Sequence, residues 1–573
     1  MSIALLLAVS IFSLVQPVRA QEVSAGITGL VTDPSGAAVV GAEITARDLD
    51  RGVSYSTQSN ESGIYALPRI PPGRYEIRVR SEGFRGWLQP EVLLEVNQRG
   101  RIDVTLELGA VTETVEVSAA GPLLQTEKTE LSRHHRRTDS RPAATDSQFH
   151  CHDDARPGRD HDQSCITQRW SPHRRRRRPY INGNREQGNN FLLDGIDNNQ
   201  PAGNLTSYQP NIDAVAEFKV ITNNASAEFG NFQGGIINVT MKSGSNGLHG
   251  SLFEYFQNDK LNANTWAHNW QAASNPAVDT QVPLRQNMFG FTLGGPVKKD
   301  RLFFFVDYQG TRRSEPGSAG LLNVMPEAFR KGDFSNLLDP AYLSANSVNG
   351  APIQLYDYAN VDASGRRQPF ANNVIPQSRI SPVALNLLND ASLYPNAINS
   401  GLRQNQVNTS NRKLQTDQGD VKLDWRPTDA DTISARYSKS VQDDPTINTF
   451  PLNFGAFRNS PFQAGVVNWT RSFGASIVNE VRLGVNNIMF HNGGTDNGLG
   501  DVANQIGIKN GNERGPGLMQ LQFTGSNFAS NIGSANIGTQ TMAANTTYQY
   551  VDNLTVIRGR HQMKMGARSC GST

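Results

Sequence analysis

After Ala20 the chain has no apolar run approaching the ~18–20 residues that a membrane-crossing helix needs. It also lacks a charge of one sign: 54 Lys and Arg against 52 Asp and Glu leave a net +2. That balance gives no argument for a nucleic-acid partner, and none is expected. Apolar residues are only 37% of the chain, and the mean hydropathy is −0.47. No Ser-His-Asp set, H-E-x-x-H pair or phosphate-cradling Gly motif stands in a workable context, so neither an enzyme nor a cofactor is expected. The absence of a spanning helix does not exclude a β-barrel. Barrel strands alternate apolar-out and polar-in, and so escape a hydropathy scan.

The first twenty residues, MSIALLLAVSIFSLVQPVRA, hold an apolar run followed by Val18-Arg19-Ala20, the small-residue pattern of a cleavage site. No Lys or Arg precedes the run, so the n-region is defective or the start is misassigned. Residues 1–20 are read as a signal peptide. Export without a spanning helix leaves the periplasm, the exterior or an outer-membrane barrel.

Residues 25–108 read as a small all-β unit. Ile27, Leu30 and Val31 open a strand that Asp33-Pro34-Ser35-Gly36 closes as a turn. Ala42–Ala46 alternates, and Tyr75-Glu76-Ile77-Arg78-Val79-Arg80 places Tyr75, Ile77 and Val79 on one face. Short strands at near-regular spacing indicate a sandwich. The segments GLVTDPSGAAVVGAEITA and SNESGIYALPRIPPGRYEIRVRSEGF resemble the carboxypeptidase regulatory-like domain. That resemblance implies a seven-stranded transthyretin-like sandwich without catalytic residues of its own. A rigid spacer is the reading preferred over sugar binding, since fold alone does not give function.

From Pro179 onward three further segments resemble a second family. They are INGNRE with NNFLLDGIDNN, then VAEFKVITNNASAEFGNFQGGIINVTMKSGSNGLHGSLFEYFQND, and NMFGFTLGGPVKKDRLFFFVDYQGTR from Asn287 to Arg312. Together with NVIPQSRISPVALNLLN they are similar to the Oar-like TonB-dependent outer-membrane receptors. The resemblance implies the remainder of a plug at 179–235 and the first part of a transport barrel at 236–573. In this reading Ile236–Met241 and Ser251–Phe256 flank a turn containing Gly244–Gly247. Val421, Leu423 and Trp425, then Ile433, Ala435 and Tyr437, then Val481, Leu483 and Val485, alternate with polar residues. The apolar set would face lipid and the polar set the lumen. Trp425, Tyr437 and Trp469 would sit at the membrane interfaces. Period two alone does not separate this from a soluble β-array; the family resemblance does. Asp194–Asn199 lacks the order of a calcium loop and reads as a turn.

The family also gives meaning to the linker, 109–132. Glu113, Thr114, Val115, Glu116, Val117 and Ser118 resemble the TonB box, an exposed β-prone strand that a TonB-type energy-coupling protein captures by edge pairing.

Residues 133–178 depart from everything around them. They contain twelve Arg, six His and six Asp, with Ile166 the one Val, Leu or Ile. A metal site from His134, His135, His150, Cys151, His152, His161 and Cys165 lacks paired ligand spacing. A basic arm at Arg174–Arg178 has little nucleic acid to meet in an exported protein. A shifted reading frame fits better. Read one base later with permitted codons, Arg141–Ala144 becomes D-L-P-L, Ser147–Phe149 becomes A-N-F and Ala155–Arg159 becomes L-A-P-G-V. Those are the ordered pieces of the family's early plug. The segment is expected to be aberrant and without order, its His, Cys and Arg having no selected role.

A plugged transporter has about 22 strands, more than the residues after Gly235 supply. With the polar ending Arg568–Thr573, a barrel truncated before closure is expected. The fold class is therefore mainly β: an N-terminal transthyretin-like β-sandwich, then a plug and a partial transmembrane β-barrel. The expected function is uptake across the outer membrane, with outer-membrane lipid and a TonB-type protein as partners. The substrate, whether small molecule such as a siderophore, oligosaccharide or peptide, stays open. A surface carbohydrate-binding or adhesion module carried by the sandwich is the alternative, and a non-functional truncated gene product the other.

Overall fold

The structure, a computed structural model, describes residues 25–95 and 98–109, strands 114–116 and 131–136, and, with short gaps, 181–269 and 283–572. Residues 1–20 and the rest of the anomalous segment, 137–178, lie outside the described residues, as do Glu113, Val117 and Ser118.

The N-terminal unit is two packed sheets. One contains β1 (Ala25–Thr32), β4 (Ile64–Ile70), β7 (Arg99–Arg101) and β8 (Val104–Thr105), with β1 at its centre. The other runs β3 (Ser54–Gln58), β2 (Glu43–Asp48), β5 (Gly73–Arg80), β6 (Gly86–Leu94), β9 (Thr114–Glu116). Alternation builds the core. Tyr75, Ile77 and Val79 are all fully buried, with Ile27, Val31 and Ile44 against them. The turn after β1 is an Asx turn: Asp33 Oδ1 accepts from the N–H groups of Ser35 and Ala37, both at 2.9 Å. Gly29 is fixed by close approach, since a Cβ there would lie 1.8 Å from the carbonyl oxygen of Ile102. Tyr65 donates to that same oxygen at 2.8 Å and ties the two ends of the unit together.

A second, inner sheet follows in the order β10 (Leu131–Arg136), β13 (Val215–Asn223), β14 (Ile236–Met241), β11 (Asn190–Leu193), β12 (Ile196–Asp197). Two expectations change here. Ile236–Met241 was assigned to the large sheet but is the central strand of the inner one, paired on both sides by β11 and β13. Ile237, Val239 and Met241 alternate with Asn238 and Thr240 as in a wall strand, yet all six residues of the strand are buried. The expected absence of order from residue 133 also fails at its start. Arg133, His134, His135 and Arg136 belong to β10 and pair with Val220, Lys219, Phe218 and Glu217.

The third unit is an eleven-stranded sheet built mostly of antiparallel neighbours. Its path is β15 (His249–Asn258), β16 (Arg285–Lys298), β17 (Leu302–Pro316), β22 (Ser410–Trp425), β23 (Asp431–Asp443), β25 (Ala456–Asn459), β27 (Ile477–Gly494), β28 (Thr541–Arg558), β29 (His561–Ser572). Strand β24 (Thr446–Asn448) adds to β22, and β26 (Phe462–Phe473) lies between β23 and β27. Two small two-stranded sheets, β18 (Gly320–Leu322) with β21 (Gln406–Asn408) and β19 (Tyr356–Val361) with β20 (Arg367–Pro369), belong to the long β17–β22 connection. That connection and the loops after β24 and β27 share a core of Val324, Leu387, Tyr394, Phe450, Val502 and Ile532.

The large sheet inverts the usual burial rule. Arg482 is 0% exposed while its neighbour Leu483 is 51% exposed. Asp420, Lys422, Arg436, Ser438, Glu480 and Asn553 are buried; Val421, Leu423, Tyr437, Val485 and Tyr548 are exposed. One face is apolar and open, the other polar and covered, as in a transmembrane barrel and unlike a soluble sheet. The inner sheet lies against the polar face. Phe191, Leu193, Val220 and Ile237 share a buried cluster there with Phe305, Phe462 and Ile488 of the large sheet.

Candidate functional site: a polar latch between the two sheets

Beside the apolar cluster, the inner sheet meets the large one through a tight hairpin. Strands β11 and β12 are joined by Asp194 and Gly195, whose φ values are +48° and +78°. Two positive φ angles in a two-residue loop define the turn that Asp-Gly favours. The segment weighed as a calcium loop is therefore a hairpin tip. Among the described residues no group of three or more His, Cys, Asp or Glu side chains is placed to hold a metal.

Asp194 at the tip is buried and fully engaged. Its Oδ1 accepts from Met241 N–H at 3.0 Å, and its Oδ2 from Arg436 Nε at 2.7 Å. Lys422 Nζ lies 3.7 Å from Oδ1 and donates to the Met241 carbonyl at 3.2 Å. Burial alone would raise the Asp194 carboxyl; the charges of Lys422 and Arg436, with the two hydrogen bonds, hold it below its ordinary value. The network extends through Arg436, whose Nη1 lies 3.5 Å from Asp420 Oδ1, with Ser438 Oγ bonded to both. From the inner layer Tyr208 donates to Asp420 Oδ2 at 2.6 Å and stacks on Phe462 at 5.0 Å between centroids.

The other arm of the hairpin is held by three more strands. Arg482, paired with Glu480 at 2.6 Å, reaches the Gly195 carbonyl at 3.4 Å. Asp197 N–H donates to Gln549 Oε1 at 3.0 Å, and its carbonyl accepts from Asn486 Nδ2 at 2.9 Å. Its carboxylate lies 3.2 Å from Arg568. Ile196 presses on Gly484, where a Cβ would come within 2.9 Å of it. Around the hairpin the other contacts are charge and amide groups, set beside the apolar cluster of Phe191, Leu193 and Ile237 with Phe305, Phe462 and Ile488.

Sequence reasoning placed Lys422 and Arg436 on the polar face but did not find the latch. Its visible signal is the Asp-Gly dipeptide itself, a hairpin tip carrying a carboxylate. The candidate coupling strand lies elsewhere: Thr114–Glu116 forms β9, paired in parallel with β6 of the sandwich.

The family described as outer membrane beta barrel domain matches residues 240–569. The family described as carboxypeptidase regulatory-like domain matches residues 26–107. The TonB-dependent transporter Oar of Myxococcus xanthus is 29% identical over 277 residues, which is 46% of this chain and 24% of that protein. The matched part thus spans about a quarter of that relative's length. Among solved structures, the outer membrane transporter YddB from Escherichia coli aligns over 69% of this chain and 42% of its own, at 12% identity and a TM-score of 0.41. The siderophore receptor PirA from Acinetobacter baumannii aligns over 67% and 40%, at 11% identity and a TM-score of 0.32.

Proposed function

The chain belongs to the outer membrane beta-barrel domain family, and from that premise we propose that it acts in TonB-dependent uptake across the outer membrane. In this reading the large sheet is barrel wall, the inner sheet is the plug, and the Asp194–Asp197 hairpin is the latch between them. Glu113–Ser118 is the strand through which a TonB-type protein pulls. The substrate class stays open among siderophore, oligosaccharide and peptide. The observation that carries the proposal is the polar latch on the covered face of a sheet whose other face is apolar and exposed.

A reversible tether tests it. Ile196→Cys with Gly484→Cys, in a background with Cys151, Cys165 and Cys570 changed to Ser, joins the inner sheet to the wall. Cells are given labelled ferric siderophore, oligosaccharide and peptide in turn. The expected result is that uptake of one class needs the coupling protein, stops on oxidation and returns on reduction. Uptake indifferent to both tether and coupling protein would overturn the proposal.

A further inference from the structure

The sandwich sheet ends on a strand that comes from beyond its own sequence block. Gly86, Trp87 and Leu88 of β6 register with Thr114, Val115 and Glu116 of β9. An edge strand exposes a row of unpaired N–H and C=O groups, a template for another chain. Here this chain itself occupies part of that edge, with the centre of the stretch read above as the coupling strand. The seat is short. Pro90 lies two residues beyond the last paired position of β6 and removes a backbone donor. A three-residue ladder is a contact that a longer strand from another protein can outcompete.

The sandwich is also fixed to the turns of the large sheet. Asn246 donates from its backbone to the Arg51 carbonyl at 3.2 Å and from Nδ2 to the Gly52 carbonyl at 3.3 Å. The Arg426 guanidinium lies 4.4 Å from the centroid of Tyr55 and donates to the Ser54 carbonyl at 3.2 Å. A pull on a strand still paired with β6 therefore loads the sandwich and, through these contacts, the wall. The next described strand along the chain is β10, the edge of the inner sheet, bonded to β13.

We infer that the β6 edge is a resting clasp for the coupling strand, which is either seated on the sandwich or captured by a strand of the periplasmic coupling protein. The inference rests on the reading of 113–118 as the coupling strand. The sandwich then sets how much of the strand is free to be captured, a role that needs no ligand of its own.

Leu88→Cys with Glu116→Cys, in the same cysteine-free background and in the full chain, locks the seat. Neighbouring strands are about 4.8 Å apart, inside the Cα range a disulfide accepts. The probe is the purified periplasmic domain of the host's TonB-type protein. The expected results are a disulfide in most molecules, binding weakened roughly tenfold or more in the oxidised form, and full recovery on reduction. A disulfide that does not form, or an oxidised chain that binds as well as the reduced one, overturns the clasp. Deletion of 113–118 separates the two readings. If that deletion leaves binding intact, the coupling-strand reading falls and takes the clasp with it. If it abolishes binding while the locked chain binds normally, the clasp alone falls.

Discussion

Asp194 Oδ2 and Arg436 Nε stand 2.7 Å apart, although the residues are 242 positions apart in the chain. The pair joins the inner sheet to the large one, with both side chains almost wholly buried. Removing one member leaves the other charged and desolvated, which costs about 3 kcal/mol or more. Asp194→Asn is the informative change, because Asn tolerates the positive φ at this position. The expected outcome is an inner sheet that unfolds at lower urea concentration, with the large sheet's transition little moved. Protease cleavage between 181 and 241, followed across a urea series, reads it. Equal midpoints for the two proteins would count against the latch.

The same pair sets a pH dependence. The folded-state carboxyl of Asp194 lies below its ordinary value of 3.8, because Lys422 and Arg436 outweigh burial. A depressed pKa contributes stability that is complete above the unfolded value. That stability is lost as pH falls through the folded one. The difference between the parent and Asp194→Asn should therefore be constant down to about pH 5 and shrink progressively below about pH 4. Urea midpoints of both proteins across that range measure it. A difference that grows on acidification would reverse the sign and reject the assignment.

Neighbouring positions on one strand should respond oppositely to charge. Leu483 points outward and is half exposed, whereas Arg482 is buried against Glu480. Arginine at a lipid-facing midplane position costs about 2–4 kcal/mol. Leu483→Arg should lower the yield of membrane-inserted protein, measured by the fraction resisting extraction with alkaline carbonate. Leu483→Phe should not. A soluble sheet would tolerate the arginine.

How much of this was legible depends on whether a property is local. Tyr75, Ile77 and Val79 could be assigned to one face from spacing alone, and all three are buried. The alternation at Val421–Trp425 likewise gave the exposed and covered faces of β22, because strand geometry fixes side-chain direction with period two. Partners are not local. Spacing marked Arg436 as inward but could not show that Asp194 meets it. Nor could it show that Thr114–Glu116 turns back to pair with β6. Strand β14 misled because Ile237, Val239 and Met241 alternate with Asn238 and Thr240 just as a wall strand does, although both its faces are covered.

The loop unit above the sheet hangs on Arg330. Its guanidinium donates to the carbonyls of Met325, Leu388, Tyr394 and Pro395 and to Asn396 Oδ1, at 2.7 to 3.0 Å. It also lies 4.7 Å from the centroid of Tyr394. No acidic side chain is among these partners, so the cation serves as a planar hub of donors for converging loop backbone. Lysine cannot copy that fork, having three donors on one atom and no plane to stack. Both Arg330→Ala and Arg330→Lys should therefore loosen the unit, by about 2–4 kcal/mol for the alanine and somewhat less for the lysine. The expected signature is faster cleavage between 325 and 396 by limited proteolysis, about tenfold or more, while fragments of β22 to β29 keep their parent resistance. If lysine behaves as the parent does, charge alone suffices and the hub geometry is irrelevant. If neither variant changes cleavage, the shared core around Leu387, Tyr394 and Phe450 holds the loops without it.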